Sequence, residues 1–258
     1  MRASTSVALA ATGLLLCGAG ESARRDAPAM VTLSGTVTYD GSHTGDSLFI
    51  AVIDTTGAED ATLLDLQTIA VGPPPLSQPY SLTFDNTGVG AEVFVASFLD
   101  VDGGGIDSVG GGDVFGWYAG TATPMGVSSG SSQAGLDFAL PRAELHGTIT
   151  LTAGLTEARI DVTGDAACVL EGFRPGTFAT SSGPYSVLGL YPGTYCVNAD
   201  GNDSVLGYLR VCFGDATCVS PAAVTLTATE VRNGVDLDFT LATAVESSSW
   251  GSVKALYR

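Results

Sequence analysis

Lysine is nearly missing from this chain: it occurs once, at Lys254, against nine arginines. That scarcity excludes a Schiff-base enzyme and a Walker-type phosphate loop, because both need a well-placed lysine and Lys254 lies in the last few residues. Histidine is almost as scarce, with His43 and His146 alone. A histidine-based nucleophile system is hard to assemble from two such residues, one in a Gly-rich turn and one on a threonine-bearing strand face, and both are expected to be solvated. No nucleophile elbow, zinc-binding motif or cofactor loop is present. A carboxylate-based hydrolase remains only as the least supported alternative, since acidic pairs are abundant and nothing singles one out.

Positive charge is short overall. The formal net charge is -17 and the pI is near 4.1. Phosphate backbones and anionic membrane surfaces would be repelled, so nucleic acid is excluded as a partner. Long apolar runs are also absent. The longest, residues 7–16 behind Met1 and Arg2, matches a secretory h-region and is too short to span a bilayer. The chain is therefore expected to be exported, with residues 1–23 as signal peptide and 24–30 as a tether. L-L-L-C at 14–17 resembles a bacterial lipobox, which would make Cys17 the acylated first residue of an anchored protein, although Leu16 stands where a small residue is preferred. Ordinary cleavage near Ala19, Gly20 or Ala23 is the second reading, and it places the protein in the periplasm or outside the cell.

Only 14% of residues are charged while glycines number 34, a composition suited to short strands and turns. Val31, Leu33, Gly35, Val37 and Tyr39 alternate with Thr32, Ser34, Thr36 and Thr38, the pattern of a half-buried strand. Further strands are expected at 47–53, 63–71, 92–99 and 114–118, with 63–71 also compatible with helical spacing. Leu136, Phe138 and Leu140 alternate in a closing strand before Pro141. The second half repeats this plan. L-H-G-T-I-T at 145–150 restates L-S-G-T-V-T at 33–38, the run from Pro184 and Tyr185 through Pro192 and Gly193 restates that from Pro79 and Tyr80, and Val235, Leu237, Phe239 and Leu241 restate the closing strand. A fixed order of three recurring elements is the mark of a duplicated module. The chain is thus expected to be all-β, two tandem Greek-key sandwiches over residues 31–141 and 143–242, followed by a tail at 243–258.

S-G-T-V-T at 34–38, H-G-T-I-T at 146–150 and L-Y-P-G-T-Y-C-V at 190–197 resemble the prealbumin-like or carboxypeptidase regulatory-like sandwich domains, over residues 31–241. The resemblance implies a transthyretin-like fold and an accessory, adhesive or spacer role on secreted and surface proteins, with no catalytic residues to carry over. Related collagen-adhesin domains are braced by an isopeptide bond from a first-strand lysine. The first strands here hold none.

Three sets of residues point to chemistry. F-L-D-V-D-G-G-G-I-D-S-V-G-G-G-D at 98–113 supplies Asp100, Asp102, Asp107 and Asp113 on a flexible turn, the hard-oxygen donors that calcium prefers. It starts like an EF-hand-type or dockerin-type loop but has Gly104 and Gly111 at two ligand places, and a plain solvated turn is the competing reading. Cys168, Cys196, Cys212 and Cys218 form an even set, read as two disulfides, with Cys212–Cys218 and Cys168–Cys196 favoured among three pairings. Trp117 and Tyr118, beside the acidic turn, would serve a glycan as a stacking platform, or else simply pack in the core. The expected function is a non-catalytic, exported binding, adhesive or spacer module, calcium being its one candidate cofactor and a protein or glycan its partner.

Overall fold

The computed structural model describes residues 29–55, 62–105, 112–121, 124–164 and 176–242. The first 28 residues with Cys17, as well as Asp107, Cys168 and residues 243–258, lie outside them. Every regular element among the described residues is a strand, apart from one 3-10 turn at Phe239–Leu241. None is a helix long and apolar enough to cross a membrane.

The first half contributes β1 (Met30–Tyr39), β2 (Ser47–Ile53), β3 (Leu63–Ala70), β4 (Leu76–Asp85), β5 (Glu92–Asp100), β6 (Val114–Trp117), β7 (Val127–Ser128) and β8 (Phe138–Ala139). They form two sheets, ordered β4-β1-β8 and β3-β2-β5-β6, with β7 added to β5. The second half contributes β9 (Ala143–Thr150), β10 (Leu155–Thr163), β11 (Gly176–Ala179), β12 (Gly183–Leu190), β13 (Gly193–Asp203), β14 (Gly207–Cys212), β15 (Val224–Leu226), β16 (Val231–Arg232) and β17 (Leu237–Asp238). Their orders are β12-β9-β16, with β17 also on β9, and β11-β10-β13-β14, with β15 on β13. Apart from β16, which has no counterpart strand in the first half, this is the same topology. The chain changes sheet from β1 to β2, β3 to β4 and β4 to β5, and likewise from β9 to β10, β11 to β12 and β12 to β13, in the Greek-key manner, so the chain is two tandem β-sandwiches.

Alternation explains the packing. Leu33, Leu48, Ile50, Leu82 and Leu99 close the first core, and Leu145, Ile149, Ile160, Leu209 and Leu237 the second, all fully buried. Each such side chain contributes about 1.5 to 3 kcal/mol on leaving water. Of the 63–71 segment, Leu63–Ala70 is a strand, paired antiparallel with β2 at the sheet edge, where its largely half-buried side chains leave the period ambiguous. From there Asp65 and Gln67 accept hydrogen bonds from the backbone N–H groups of Thr83 and Ser81. That covers the outer edge of β4, which would otherwise offer unpaired donors to another strand.

The closing strands differ from expectation. β8 and β17 are two residues long and pair parallel to the first strand of their module, Val37 with Phe138 and Ile149 with Leu237. After Asp238 the chain tightens into the 3-10 turn, its side chain accepting from the Thr240 N–H. The alternation therefore breaks there, and Leu241 is exposed instead of buried.

One device recurs in both modules and accounts for the glycine in each opening motif. Gly35 pairs with Tyr80 and Gly147 with Tyr185. Over each glycine runs the returning backbone, whose carbonyl accepts the tyrosine hydroxyl: Tyr80 Oη to Leu136 O at 2.8 Å, Tyr185 Oη to Val235 O at 2.5 Å. The flanking bonds match as well, with Leu136 N–H donating to Ser34 O and Val235 N–H to His146 O. Thr36 and Thr148 N–H donate to Asp137 and Asp236. Burial pushes both phenol groups well above their ordinary range, which keeps them donors. The repeated sequence G-T-[VI]-T is thus the footprint of a close backbone crossing.

Candidate metal site and the junction between the modules

β5 leaves the first core at Leu99 and enters the acidic turn at once. Asp100 accepts from the Gly103 and Gly105 N–H groups at 2.8 and 3.2 Å, Asp102 from Gly104 at 2.9 Å, and Asp113 from Val101 at 3.0 Å. These bonds fold the turn so that one carboxylate oxygen from each of Asp100, Asp102 and Asp113 lies within 4.8 Å of the others. Asp100 and Asp113 are buried and Asp102 is exposed. Three of the four expected ligands are thus brought together, and Asp107 falls outside the described residues. Like charges at such spacing repel by roughly 1 to 4 kcal/mol per pair, depending on the local dielectric, and a divalent cation reverses that sign. The shorter acidic run of the second module does not form such a group. Asp200 is bound to Arg210 at 2.6 Å, and Asp203 caps the β13–β14 turn through the N–H groups of Val205 and Leu206.

The turn returns through Asp113 into β6, and β6 is where the modules meet. Tyr191, just past β12, donates its hydroxyl to Trp117 O at 3.2 Å and accepts from Trp117 N–H at 2.8 Å. One side chain of the second module thereby bonds both backbone groups of Trp117 at the outer edge of β6. Desolvation, chiefly, raises the Tyr191 pKa above the phenol range. Leu188 of β12 joins the first module's core. Arg142 bonds Asp40 across the same seam at 2.9 Å.

This burial corrects the reading of Trp117 as a glycan platform. Trp117 is 5% exposed, its ring packed edge-on against Phe115, and Tyr118 lies edge-on to Phe138. A stacking surface needs an open ring face, and at 5% exposure Trp117 offers none.

The histidines also differ from expectation. The turn carrying His43 folds against β9, so His43 Nε2 lies 2.7 Å from Glu144 Oε1, and His146 Nε2 lies 2.8 Å from Glu144 Oε2. Glu144 was not legible as special because its partners come from another module and from the next residue but one.

Cys212 and Cys218 are joined, closing the short loop as expected. Within it Asp215 accepts from the Thr217 hydroxyl and from the Ser220 and Thr217 N–H groups, which together hold its carboxyl down at about 2. Cys196 is disulfide-bonded as well.

No protein-family model matches the chain. No curated protein matches it either. Among solved structures it is similar to an alternative pilotin from the type II secretion system of Vibrio cholerae, at 18% identity and a TM-score of 0.31, over 43% of this chain and 96% of that one. A candidate cell-adhesion protein from Parabacteroides distasonis is similar at 10% identity and 0.33, over 83% and 90%. A tip fimbrial protein from Porphyromonas gingivalis, truncated at its C-terminus, is similar at 8% identity and 0.30, over 72% and 82%. The fold of this chain rests on its own strand order and its two separate cores.

Proposed function

We propose that this protein is a non-catalytic, exported two-sandwich module that serves as an adhesive or spacer element at a cell surface, braced by calcium at the turn before its junction. The observation that carries the reading is the convergence of Asp100, Asp102 and Asp113 next to β6, the strand on which the second module docks. A cation there would fix the β5–β6 turn and, through Val114, the seam. Asp107 is the fourth ligand of the proposal. The prealbumin-like resemblance of the opening strands and of the L-Y-P-G-T-Y stretch supports an accessory role. So does the acidic surface, which suits solvated display and not nucleic-acid binding. The partner presented to is a protein or a glycan, and attachment is either through acylated Cys17 or absent.

Thermal unfolding of the full chain in calcium and in chelator tests the ion site. With a dissociation constant in the weak extracellular range, about 10 mM calcium adds about 1.4 to 2.7 kcal/mol to the folded state. That raises the first transition by on the order of 5 to 15 °C. Asp102→Asn, a change at an exposed carboxylate, should remove most of the gain. Identical melting curves in calcium and chelator would discard the site.

The second staple is proposed to be Cys168–Cys196. Peptide mapping of the unreduced protein is expected to yield one cross-linked peptide holding both, and a free thiol at Cys168 would refute it. The same digest reports whether Cys17 is retained and acylated.

A further inference from the structure

The two modules enter their close crossings through the same left-handed glycine. Gly135, with a φ of 75°, precedes Leu136 in the first module, and Gly234, with a φ of 77°, precedes Val235 in the second. Only glycine takes that conformation freely, so the path of the returning chain fixes the residue type there. The residue before it is not fixed. It is Ala134 in the first module and Asn233 in the second.

That single difference creates an Asn-Gly pair, and of the four asparagines in the chain Asn233 alone is followed by glycine. An asparagine side-chain carbonyl lies within reach of the next backbone nitrogen, and a glycine leaves that nitrogen unshielded. Here both residues are exposed, and a Cβ on Gly234 would meet nothing within 4 Å. Neither the Gly234 N–H nor the Asn233 side chain has a hydrogen bond among the described residues. The other asparagines are restrained. Asn86 donates to Ser129 O, Asn198 is buried, and Asn202 is paired within β13 and precedes the bulkier Asp203.

We infer that Asn233 and Gly234 form a self-modification site, where water slowly turns the side-chain amide into a carboxylate and reroutes the main chain. Hydroxide removes the Gly234 amide proton, and the nitrogen bonds to Asn233 Cγ. The Cγ–Nδ2 bond then breaks, and ammonia leaves with a proton from solvent. Water opens the resulting cyclic imide without any transfer of electrons: attack at Cγ gives aspartate, and attack at the main-chain carbonyl carbon gives isoaspartate, whose chain runs through Cβ and Cγ. The rerouted form inserts one extra backbone atom just before Val235, whose N–H donates to His146 O and whose carbonyl accepts from Tyr185. It also adds negative charge to a chain already at -17. The crossing of the second module therefore loosens with age, while that of the first, preceded by Ala134, does not.

The full chain, held in mildly alkaline buffer and then digested and mapped by mass spectrometry, is expected to convert at Asn233 before any other asparagine, with isoaspartate among the products. In the rerouted chain, separated by its extra charge, hydrogen-exchange protection of the Val235 N–H should fall by about threefold to tenfold, the loss of roughly one hydrogen bond, with the Leu136 N–H unchanged. Asn233→Ala, which copies the first module at an exposed position, should neither convert nor lose protection under the same treatment. Asn233 still intact after an excised peptide of the same sequence has converted would overturn the site. Aspartate as the only product, or a rerouted chain with Val235 as protected as before, would overturn its effect on the crossing.

Discussion

Alanine at Gly147 is expected to destabilise the second module by about 3 kcal/mol or more, lowering its transition by on the order of 10 to 20 °C. A Cβ on Gly147 would stand 2.6 Å from the Val235 carbonyl carbon and closer still to its oxygen, and 2.9 Å from the Tyr185 ring. Backbone and a buried ring cannot move aside as a flexible side chain would. Moving the returning strand away would also cost the Tyr185 hydrogen bond and the Val235 N–H bond to His146 O. Each of these leaves a buried polar group short of a partner, at about 1 to 3 kcal/mol. Gly35→Ala meets the Leu136 carbonyl in the same way and should act on the first module. Gly72→Ala is the control: a Cβ there meets nothing within 4 Å, so its effect should be within about 0.5 kcal/mol of zero. Calorimetry of the three variants decides the matter. If Gly147→Ala melts with Gly72→Ala, the close crossing is not the reason for the repeated glycine.

That crossing also shows what the sequence made legible. Period-two alternation located the first strand of each module, because one face meets a core and the other meets water; Val31, Leu33 and Val37 are buried where the pattern places them. The duplication was readable because the same contacts recur at the same spacing, and the acidic turn because carboxylates and glycines dense in one stretch must share a small volume. What could not be read was anything that depends on which module touches which. Nothing near Trp117 in sequence shows that Tyr191, 74 residues later, bonds its backbone. Glu144 looks like an ordinary strand carboxylate until His43, 101 residues earlier, reaches it. The closing strands looked longer than they are because apolar alternation continues through Leu241, while pairing is ended by the Asp238 side chain starting a 3-10 turn.

The strongest consequence of the junction concerns Leu188. Tyr185 and Val187 face the second core, and strict alternation would turn Leu188 to solvent. Pairing of β12 with β9 is irregular between Val187 and Leu190, and Gly189 sits in the bulge with a φ of 65°, which an L side chain rarely adopts. The bulge brings the backbone against β6, leaving a Gly189 Cβ only 2.8 Å from Val114 Cα. It also delivers Leu188, 6% exposed, into the core of the first module. Leu188→Ala should therefore cost about 2 to 5 kcal/mol, as buried leucine truncations do, and the loss should fall on the module to which the residue does not belong in sequence. Hydrogen exchange followed amide by amide would show β2 and β5 losing protection. Val187→Ala on the neighbouring position should instead weaken β10 and β13. Should Leu188→Ala leave β2 and β5 as protected as in the wild type, the two sandwiches fold without reference to each other, and a cation at the β5–β6 turn would have no seam to stiffen.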